Sequence, residues 1–81
     1  MASVETLDRV RGLVAMLFDV PEGSVTAETS PQNMEKWDSM GQLTLILEIE
    51  QEFNIAMTHD RVERMTSVGA LADIIDEARV A

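Results

Sequence analysis

Apolar residues recur every three or four positions along most of the chain, which is the spacing of one face of an α-helix. The first segment with this spacing runs from Val4 to Phe18, and Ser3 is placed to cap its free N–H groups. The second runs from Ser39 to Phe53. The strict alternation that marks a half-buried strand is hard to find. The pattern therefore predicts a fold built of helices.

Two further helical segments follow. A short one runs from His59 to Arg64, with Thr58 as its candidate cap. The last runs from Ser67 to Arg79, and either Thr66 or Ser67 can cap it. Its apolar stripe consists of Val68, Leu71, Ile74, Ile75 and Ala78. We expect residues 1–81 to form a single domain, an all-α four-helix bundle with three longer helices and one short third helix.

A long irregular stretch, residues 19–37, separates the first two helical segments and is interrupted by two prolines and a glycine. Connections of this length are uncommon in compact domains and are usually functional or disordered. Three apolar residues could hold this loop against the core, namely Val20, Val25 and Met34. Trp37 ends the loop, and we expect it to pack onto the bundle.

The second segment carries two separate apolar stripes, which appear when each residue is turned by about 100° from Ser39. The first stripe, at about 240–340°, consists of Leu45, Ile46, Ile49 and Phe53. The second, at about 40–100°, consists of Met40, Leu43 and Leu47. One stripe is enough to bury a helix on a small bundle. The second is therefore either covered by a neighbouring helix or loop, or it faces a partner or a guest held by the domain.

The chain is acidic and contains no cysteine. Its 6 Lys and Arg against 15 Asp and Glu give a formal net charge of −9. Such a surface repels nucleic acid and anionic membranes and attracts basic partner proteins. The lack of cysteine excludes disulfides, thiolate metal sites and a cysteine nucleophile. Any thiol chemistry therefore needs a thiol from outside the sequence.

The distribution of apolar residues also bears on location. The N-terminus alternates acidic and apolar residues instead of showing a signal-peptide pattern, and no apolar run is long enough to span a bilayer. We expect a cytoplasmic protein with no stable membrane insertion.

The junction Trp37-Asp38-Ser39-Met40 joins the polar loop to the second helical segment. A helix N-terminus carries partial positive charge and unpaired N–H donors, so it suits a phosphate. Two arrangements are open. Ser39 could itself cap the helix, with Gln42 completing a capping box, or Asp38 could cap and leave the Ser39 hydroxyl free.

The sequence resembles the acyl and peptidyl carrier proteins, whose signature is Asp-Ser-Leu or Asp-Ser-Met at the start of the second helix of a four-helix bundle. Asp38-Ser39-Met40 matches this signature. The likeness continues through Leu43, Leu45-Ile46, Ile49, Glu50-Gln51-Glu52-Phe53, Thr66-Ser67-Val68 and Ile74-Ile75, and it includes Val25-Thr26 in the long loop. It covers essentially the whole chain.

The resemblance implies a carrier with no catalysis of its own. A phosphopantetheinyl transferase would move 4'-phosphopantetheine from coenzyme A onto Ser39, and the thiol of this arm would hold acyl or aminoacyl groups as thioesters. Asp38 would orient the junction and assist recognition by the transferase. The other partners would be an acyl- or aminoacyl-activating ligase and a downstream transferase or synthase. The chain itself is expected to be a monomer.

The resemblance also implies a partner-binding surface around the second helix. Its expected members are Met40, Leu43, Leu47, Glu50, Gln51 and Met57. His59, the only histidine, matches a partner-facing position of the family and is a further candidate contact.

The chain departs from the fatty-acid members of the family near the serine. Those members usually carry acidic residues two and five places after the serine, where this chain has Gly41 and Thr44. They also usually have Leu-Gly where this chain has Glu35-Lys36, which Trp37 follows. The opening resembles that of specialised carriers in secondary metabolism or cell-envelope pathways, including D-alanyl carrier proteins. Lipid biosynthesis of the housekeeping kind is less favoured.

Other chemistries fit the sequence less well. Ser39 lacks the Gly-x-Ser-x-Gly elbow of serine hydrolases, and His59 lies in another segment, so no catalytic residue is expected. Glu48, Glu50 and Glu52 are spread around their helix by their spacing, so no metal site is expected either. The remaining alternative is an unmodified helical module that binds one protein through its acidic and apolar face.

Overall fold

The computed structural model describes residues 2–80, and within that range it contains four α-helices and no strand. The helices are α1 (Val4–Phe18), α2 (Ser39–Phe53), α3 (His59–Arg64) and α4 (Val68–Val80), with a 3-10 turn at Glu22–Ser24. The all-α prediction of three longer helices and a short third one is confirmed. Only the last helix differs in its bounds, because it begins and ends one residue later than predicted.

Side-chain caps explain where the helices begin. The Ser3 hydroxyl accepts the Thr6 N–H at 3.1 Å at the start of α1. At the start of α4, the Ser67 hydroxyl accepts the Ala70 N–H at 3.1 Å, so Ser67 rather than Thr66 is the cap. Each such cap satisfies one of the N–H groups that a helix leaves without an internal partner.

The long loop is tied to the bundle by backbone hydrogen bonds at the start of α4. The N–H groups of Val68 and Gly69 donate to the carbonyls of Thr29 and Ala27, at 2.8 and 2.9 Å. A Cβ on Gly69 would lie 3.1 Å from the Ala27 oxygen, so the residue at this position must be small. The loop thus completes the N-terminus of α4.

Loop side chains strengthen this attachment. Val25 is fully buried, and Val20 and Met34 pack against the core, as the sequence predicts. Arg11 on α1 donates from Nε to the Val25 carbonyl at 2.6 Å. This segment is therefore an integral layer of the fold that leads directly to α2.

The core lies where the apolar stripes of α1, α2 and α4 meet. Its fully buried members include Val10, Val14, Leu45, Ile49, Val68, Leu71 and Ile75. Burying one such Leu, Ile or Val side chain contributes about 1.5–3 kcal/mol. Arg9 crosses from α1 to α2, with its guanidinium 4.5 Å from the centre of the Phe53 ring and 2.9 Å from the Glu52 carboxylate.

The short helix α3 has no buried residue of its own and is held from both ends. Before it, the N–H of Met57 donates to the Glu50 carboxylate at 2.9 Å. Near its end, Arg64 donates to Glu77 on α4 at 2.9 Å.

None of the helices within residues 2–80 combines the length and the apolar character that crossing a bilayer requires.

Candidate functional site

Asp38 and Ser39 stand at the exposed start of α2, and it is Asp38 that caps the helix. The Asp38 backbone is extended (φ −98°, ψ −165°), and its Oδ1 accepts the Gly41 N–H at 2.9 Å. The Asp38 carbonyl accepts the Gln42 N–H at 2.8 Å. Ser39 is therefore the first residue inside the helix, which decides between the two arrangements that the sequence left open.

The Ser39 hydroxyl is exposed and has no hydrogen-bond partner among residues 2–80. In the same range, the backbone N–H groups of Ser39 and Met40 have no protein acceptor. These donors stand at the positive end of the helix dipole. The junction therefore combines an accessible hydroxyl with two unpaired N–H groups, which suits an anionic group bonded to Ser39.

Gln42 does not complete a capping box, because its side chain is engaged elsewhere. The indole N–H of Trp37 donates to Gln42 Oε1 at 2.7 Å. Trp37 is only 2% exposed, and its ring centre lies 6.3 Å from that of Phe18 on α1. The prediction that Trp37 packs the end of the loop onto the bundle is confirmed.

Gly41 permits a close approach that the sequence does not reveal. A Cβ at this position would lie 2.4 Å from the Lys36 carbonyl oxygen and 3.1 Å from the Phe18 ring. Any side chain would push the loop away from the first turn of α2. The glycine that replaces an acidic residue of the fatty-acid carriers therefore has a structural reason in this chain.

An open groove of about 420 Å³ lies beside Ser39, between the end of the loop, the start of α2 and the region of α3. It is lined by Pro31, Gln32, Trp37, Asp38, Ser39, Gln42, Val62, Glu63, Met65 and Thr66. The groove is therefore lined by both polar and apolar side chains, and Ser39 stands at its edge.

The second apolar stripe of α2 is exposed. Met40, Leu43 and Leu47 are 73%, 54% and 51% exposed, whereas Leu45 and Ile49 of the first stripe are fully buried. Neither the loop nor another helix within the described chain covers these three side chains. Of the two explanations for this stripe, the covered one is wrong.

The other expected contact residues divide into exposed and buried positions. Gln51 is exposed. Glu50 is half-buried, and its carboxylate accepts a hydrogen bond from the Met57 N–H. Met57 itself is only 9% exposed and belongs to the core. Little of the Met57 side chain is therefore accessible in this structure, and its role as a contact residue stays a prediction.

His59 lies at the exposed start of α3 and pairs with Glu63, a residue that lines the Ser39 groove. Its Nε2 is 2.6 Å from the Glu63 carboxylate one turn later. Within residues 2–80, no three acidic or histidine side chains come together in a way that could hold a metal ion. Among residues 2–80, the partner of the His59 side chain is Glu63, and no hydrogen bond joins it to Ser39.

A larger cleft, of about 730 Å³, lies between the start of α1 and α4. Its polar groups already bind one another, because Asp76 accepts from the Thr6 hydroxyl at 2.6 Å and from the Ser3 N–H at 2.8 Å. These hydrogen bonds, that from Thr6 first, hold the pKa of Asp76 below its ordinary value. The Ser39 groove, with its unused hydroxyl, is the better candidate for a functional site.

Comparison with known proteins shows the family to which the chain is similar. Residues 8–75 match the profile of a family described as "Phosphopantetheine attachment site". An acyl carrier protein of Picosynechococcus sp. is 30% identical over 73 residues, which cover 90% of each chain. An acyl carrier protein of Lactobacillus acidophilus is 30% identical over 69 residues, which cover 85% of this chain and 86% of that protein. The matched region includes the loop, α2 and the groove.

Proposed function

The chain belongs to the acyl carrier protein family of phosphopantetheine-binding carriers, and on that premise we propose that Ser39 is the residue that bears its 4'-phosphopantetheine arm. Members of this family are carriers rather than enzymes. The arm ends in a thiol, which holds an acyl or aminoacyl group as a thioester for partner enzymes. This external thiol suits a chain that has no cysteine of its own.

The observation that carries this proposal is the accessible Ser39 hydroxyl at the first position of α2. Asp38 performs the capping, so the serine hydroxyl is not needed to begin the helix. The unpaired N–H groups of Ser39 and Met40 fit phosphate oxygens. Asp38 thus has a positioning role, because its carboxylate fixes the first turn that presents Ser39.

The attachment reaction is a transfer of phosphopantetheine from coenzyme A to oxygen. A transferase supplies the catalysis, and the Ser39 Oγ attacks the phosphorus next to the pantetheine part of coenzyme A. An Oγ–P bond forms as the pyrophosphate P–O bond breaks. The serine proton is lost, and adenosine 3',5'-bisphosphate leaves. The exposure of Ser39 allows the transferase to reach this atom.

The exposed apolar stripe supplies a surface for the partner enzymes. Met40, Leu43 and Leu47 lie on the face of α2 next to Ser39 and stand half or more exposed. Glu50 and Gln51 extend this surface toward the end of the helix. A partner that covers the stripe while the arm enters its active site would bury apolar area that is otherwise left in water.

We further assign the chain to a specialised pathway rather than to housekeeping fatty-acid synthesis. Apart from the capping Asp38, the first turn of α2 carries no acidic residue, so α2 itself offers little acidic docking surface immediately after Ser39. The Gly41 contact with the Lys36 carbonyl supports this assignment, because an acidic side chain cannot occupy position 41 without moving the loop.

An aminoacyl or D-alanyl cargo is the second candidate. Asp38 and Glu63 line the groove beside Ser39, and each already has a partner, because Asp38 Oδ1 accepts the Gly41 N–H and Glu63 pairs with His59. Their acidic groups still favour a cargo that carries a protonated amine over one that carries a second carboxylate. A cell-envelope carrier loaded by an aminoacyl-activating ligase would have such a cargo.

Intact-mass measurement after incubation with coenzyme A and a broad-specificity transferase tests the attachment site. The wild-type chain should gain the mass of one phosphopantetheine group, and Ser39→Ala should gain none. Ser30→Ala, a change of a loop serine outside the junction, is the matched control and should be modified like wild type. A modified Ser39→Ala chain would disprove the assignment.

The same measurement separates the carrier from an unmodified interaction module. A wild-type chain that folds but gains no mass would favour the module, which would bind one protein through Met40, Leu43 and Leu47. Circular dichroism of each sample should accompany the mass spectrum, so that loss of modification is not confused with loss of the helices.

A further inference from the structure

The groove beside Ser39 has a floor that belongs to the core of the bundle. Trp37 and Met65 line the groove, yet they are only 2% and 3% exposed and pack within the core cluster. The rim is different, because Gln32, Glu63 and Thr66 are exposed and polar. A group carried at Ser39 thus meets a polar rim first and a closed apolar floor behind it.

One hydrogen bond fastens this floor to α2. The Trp37 indole N–H donates to Gln42 Oε1 at 2.7 Å, and the Trp37 ring packs 6.3 Å from that of Phe18. One turn after Gln42, Leu45 is fully buried in the core. The pair therefore stands between the open groove and the close-packed interior.

We propose that the Trp37–Gln42 pair closes the bundle core to a group carried at Ser39, so that this chain carries short or polar acyl or aminoacyl groups in the open groove. The proposal rests on attachment of the arm to Ser39. It makes Trp37 and Gln42 determinants of cargo length, a role distinct from attachment and from partner binding.

The physical cost of opening the core supports this assignment. A long alkyl chain that entered the core from the groove at Trp37 would move Trp37 away from Gln42, which would leave a buried indole N–H without an acceptor. It would also have to displace side chains such as Leu45 from a close-packed interior. A short or polar cargo needs neither change, since the groove offers it polar side chains and water.

The test compares two cargoes on the whole chain. A broad-specificity transferase loads the acetyl- or octanoyl-bearing arm from acetyl- or octanoyl-coenzyme A, and intact mass confirms each product. Three readouts follow, namely the Tm, the fluorescence of Trp37 and the rate at which hydroxylamine cleaves the thioester. Trp37 is the only tryptophan in the chain, so its emission reports on this position alone.

In the wild-type chain we expect the octanoyl and acetyl forms to behave alike. Their Tm values should agree within about 2 °C, their emission spectra should coincide, and hydroxylamine should cleave both at similar rates. An octanoyl form with a higher Tm, shifted Trp37 emission and slower cleavage would overturn the proposal, since it would show that the chain enters the core.

Gln42→Ala should open the core, and Thr44→Ala, a change of an exposed side chain on the same helix, is the control. In Gln42→Ala the octanoyl form should gain roughly 5 °C over the acetyl form and resist hydroxylamine, whereas Thr44→Ala should behave like wild type. Trp37→Phe removes the donor but keeps a ring, and it should give the same result if Gln42→Ala folds poorly. Variants as insensitive to chain length as wild type would overturn the role of the pair.

The outcomes also distinguish this inference from the attachment on which it depends. If the wild-type chain gains no mass from either coenzyme A derivative, the proposed attachment at Ser39 fails, and the cargo inference fails with it. If the chain is loaded but the octanoyl form is protected, only the cargo inference fails.

Discussion

A serine stands at the start of both α1 and α2, but only the hydroxyl at α1 is hydrogen-bonded within residues 2–80. Ser3 is the N-cap of α1, and its hydroxyl accepts from the Thr6 N–H and donates to the Thr6 hydroxyl. The Ser3 N–H and the Thr6 hydroxyl both donate to Asp76 on α4. The polar groups at this start are therefore engaged in holding α1 to α4.

At α2 the serine lies one position after the N-cap, so its hydroxyl is not used for capping. Asp38 takes the N-cap role, so Ser39 falls inside the first turn with its hydroxyl in solvent. The position of a serine relative to the cap thus decides whether its hydroxyl is used for capping or is left exposed. The same contrast holds for the two clefts, since Ser3, Thr6 and Asp76 in the cleft at α1 already form hydrogen bonds with one another.

Exchange of serine for alanine at the two helix starts should separate these roles most sharply. Ser39→Ala should abolish phosphopantetheine attachment and change the free energy of unfolding by less than about 0.5 kcal/mol, because Asp38 still caps α2. Ser3→Ala should lower the free energy of unfolding by about 1 kcal/mol and leave attachment intact. Urea denaturation and intact mass measure the two effects.

The comparison would be broken by a crossed result. If Ser39→Ala destabilised the chain as much as Ser3→Ala does, the Ser39 hydroxyl would have a capping role that the structure does not give it. Loss of attachment in a fully folded Ser3→Ala chain would likewise show that the α1 start acts on the site.

Alanine at the glycines of the two helices should give effects of opposite sign. Gly41→Ala places a Cβ 2.4 Å from the Lys36 carbonyl oxygen, so the loop must move, and we expect a loss of about 1–3 kcal/mol. Gly12→Ala on α1 meets nothing closer than 3.9 Å and should gain about 0.5–1 kcal/mol, because alanine favours the helix. Urea denaturation of both variants tests this, and a stabilised Gly41→Ala would show that the loop yields easily.

Local signals were sufficient to predict the helices, and they also mark the junction where we propose the attachment site. The periodicity of the apolar residues predicts α1, α2 and α3. The bounds are correct because a residue that can cap a helix also stands at the start of each. The junction at Ser39 was found from its place between a polar loop and a periodic segment. The helix angles also separated the exposed Met40 from the buried Leu45 on the same helix.

Contacts between distant segments could not be predicted in this way. At Gly41, a Cβ would lie 2.4 Å from the Lys36 carbonyl oxygen, and this distance depends on how the loop backbone approaches α2. The hydrogen bond from the Gly69 N–H to the Ala27 carbonyl likewise depends on how the loop approaches α4. The choice between Asp38 and Ser39 as cap was open because both residue types cap helices well. Burial of Met57 follows from the turn that the Glu50 carboxylate holds, which periodicity does not encode.

Removal of the α2 cap should have a moderate effect. Asp38→Ala loses the acceptor of the Gly41 N–H, and we expect it to lower the free energy of unfolding by about 1 kcal/mol and to slow attachment to Ser39. Asp38→Asn keeps an acceptor oxygen and should restore most of the stability. Attachment kinetics of the two variants then show how much the charge matters apart from the cap. An equal loss of stability in both would contradict the capping role.

The smallest expected effect is a change in stability with pH, which arises from the Asp76 carboxylate at the start of α1. The hydrogen bonds from Thr6 and Ser3 hold the pKa of Asp76 below its ordinary value. Their contribution is therefore complete above about pH 4, where the unfolded carboxyl is ionised, and is lost as the pH falls through the lower pKa of the folded state. Thr6→Val removes the first of these donors, so the difference in stability between wild type and Thr6→Val should be larger at pH 7 than at pH 3. All other carboxylates titrate in both chains, so the difference isolates Asp76, whereas a difference that does not change with pH would show that Thr6 acts only through packing.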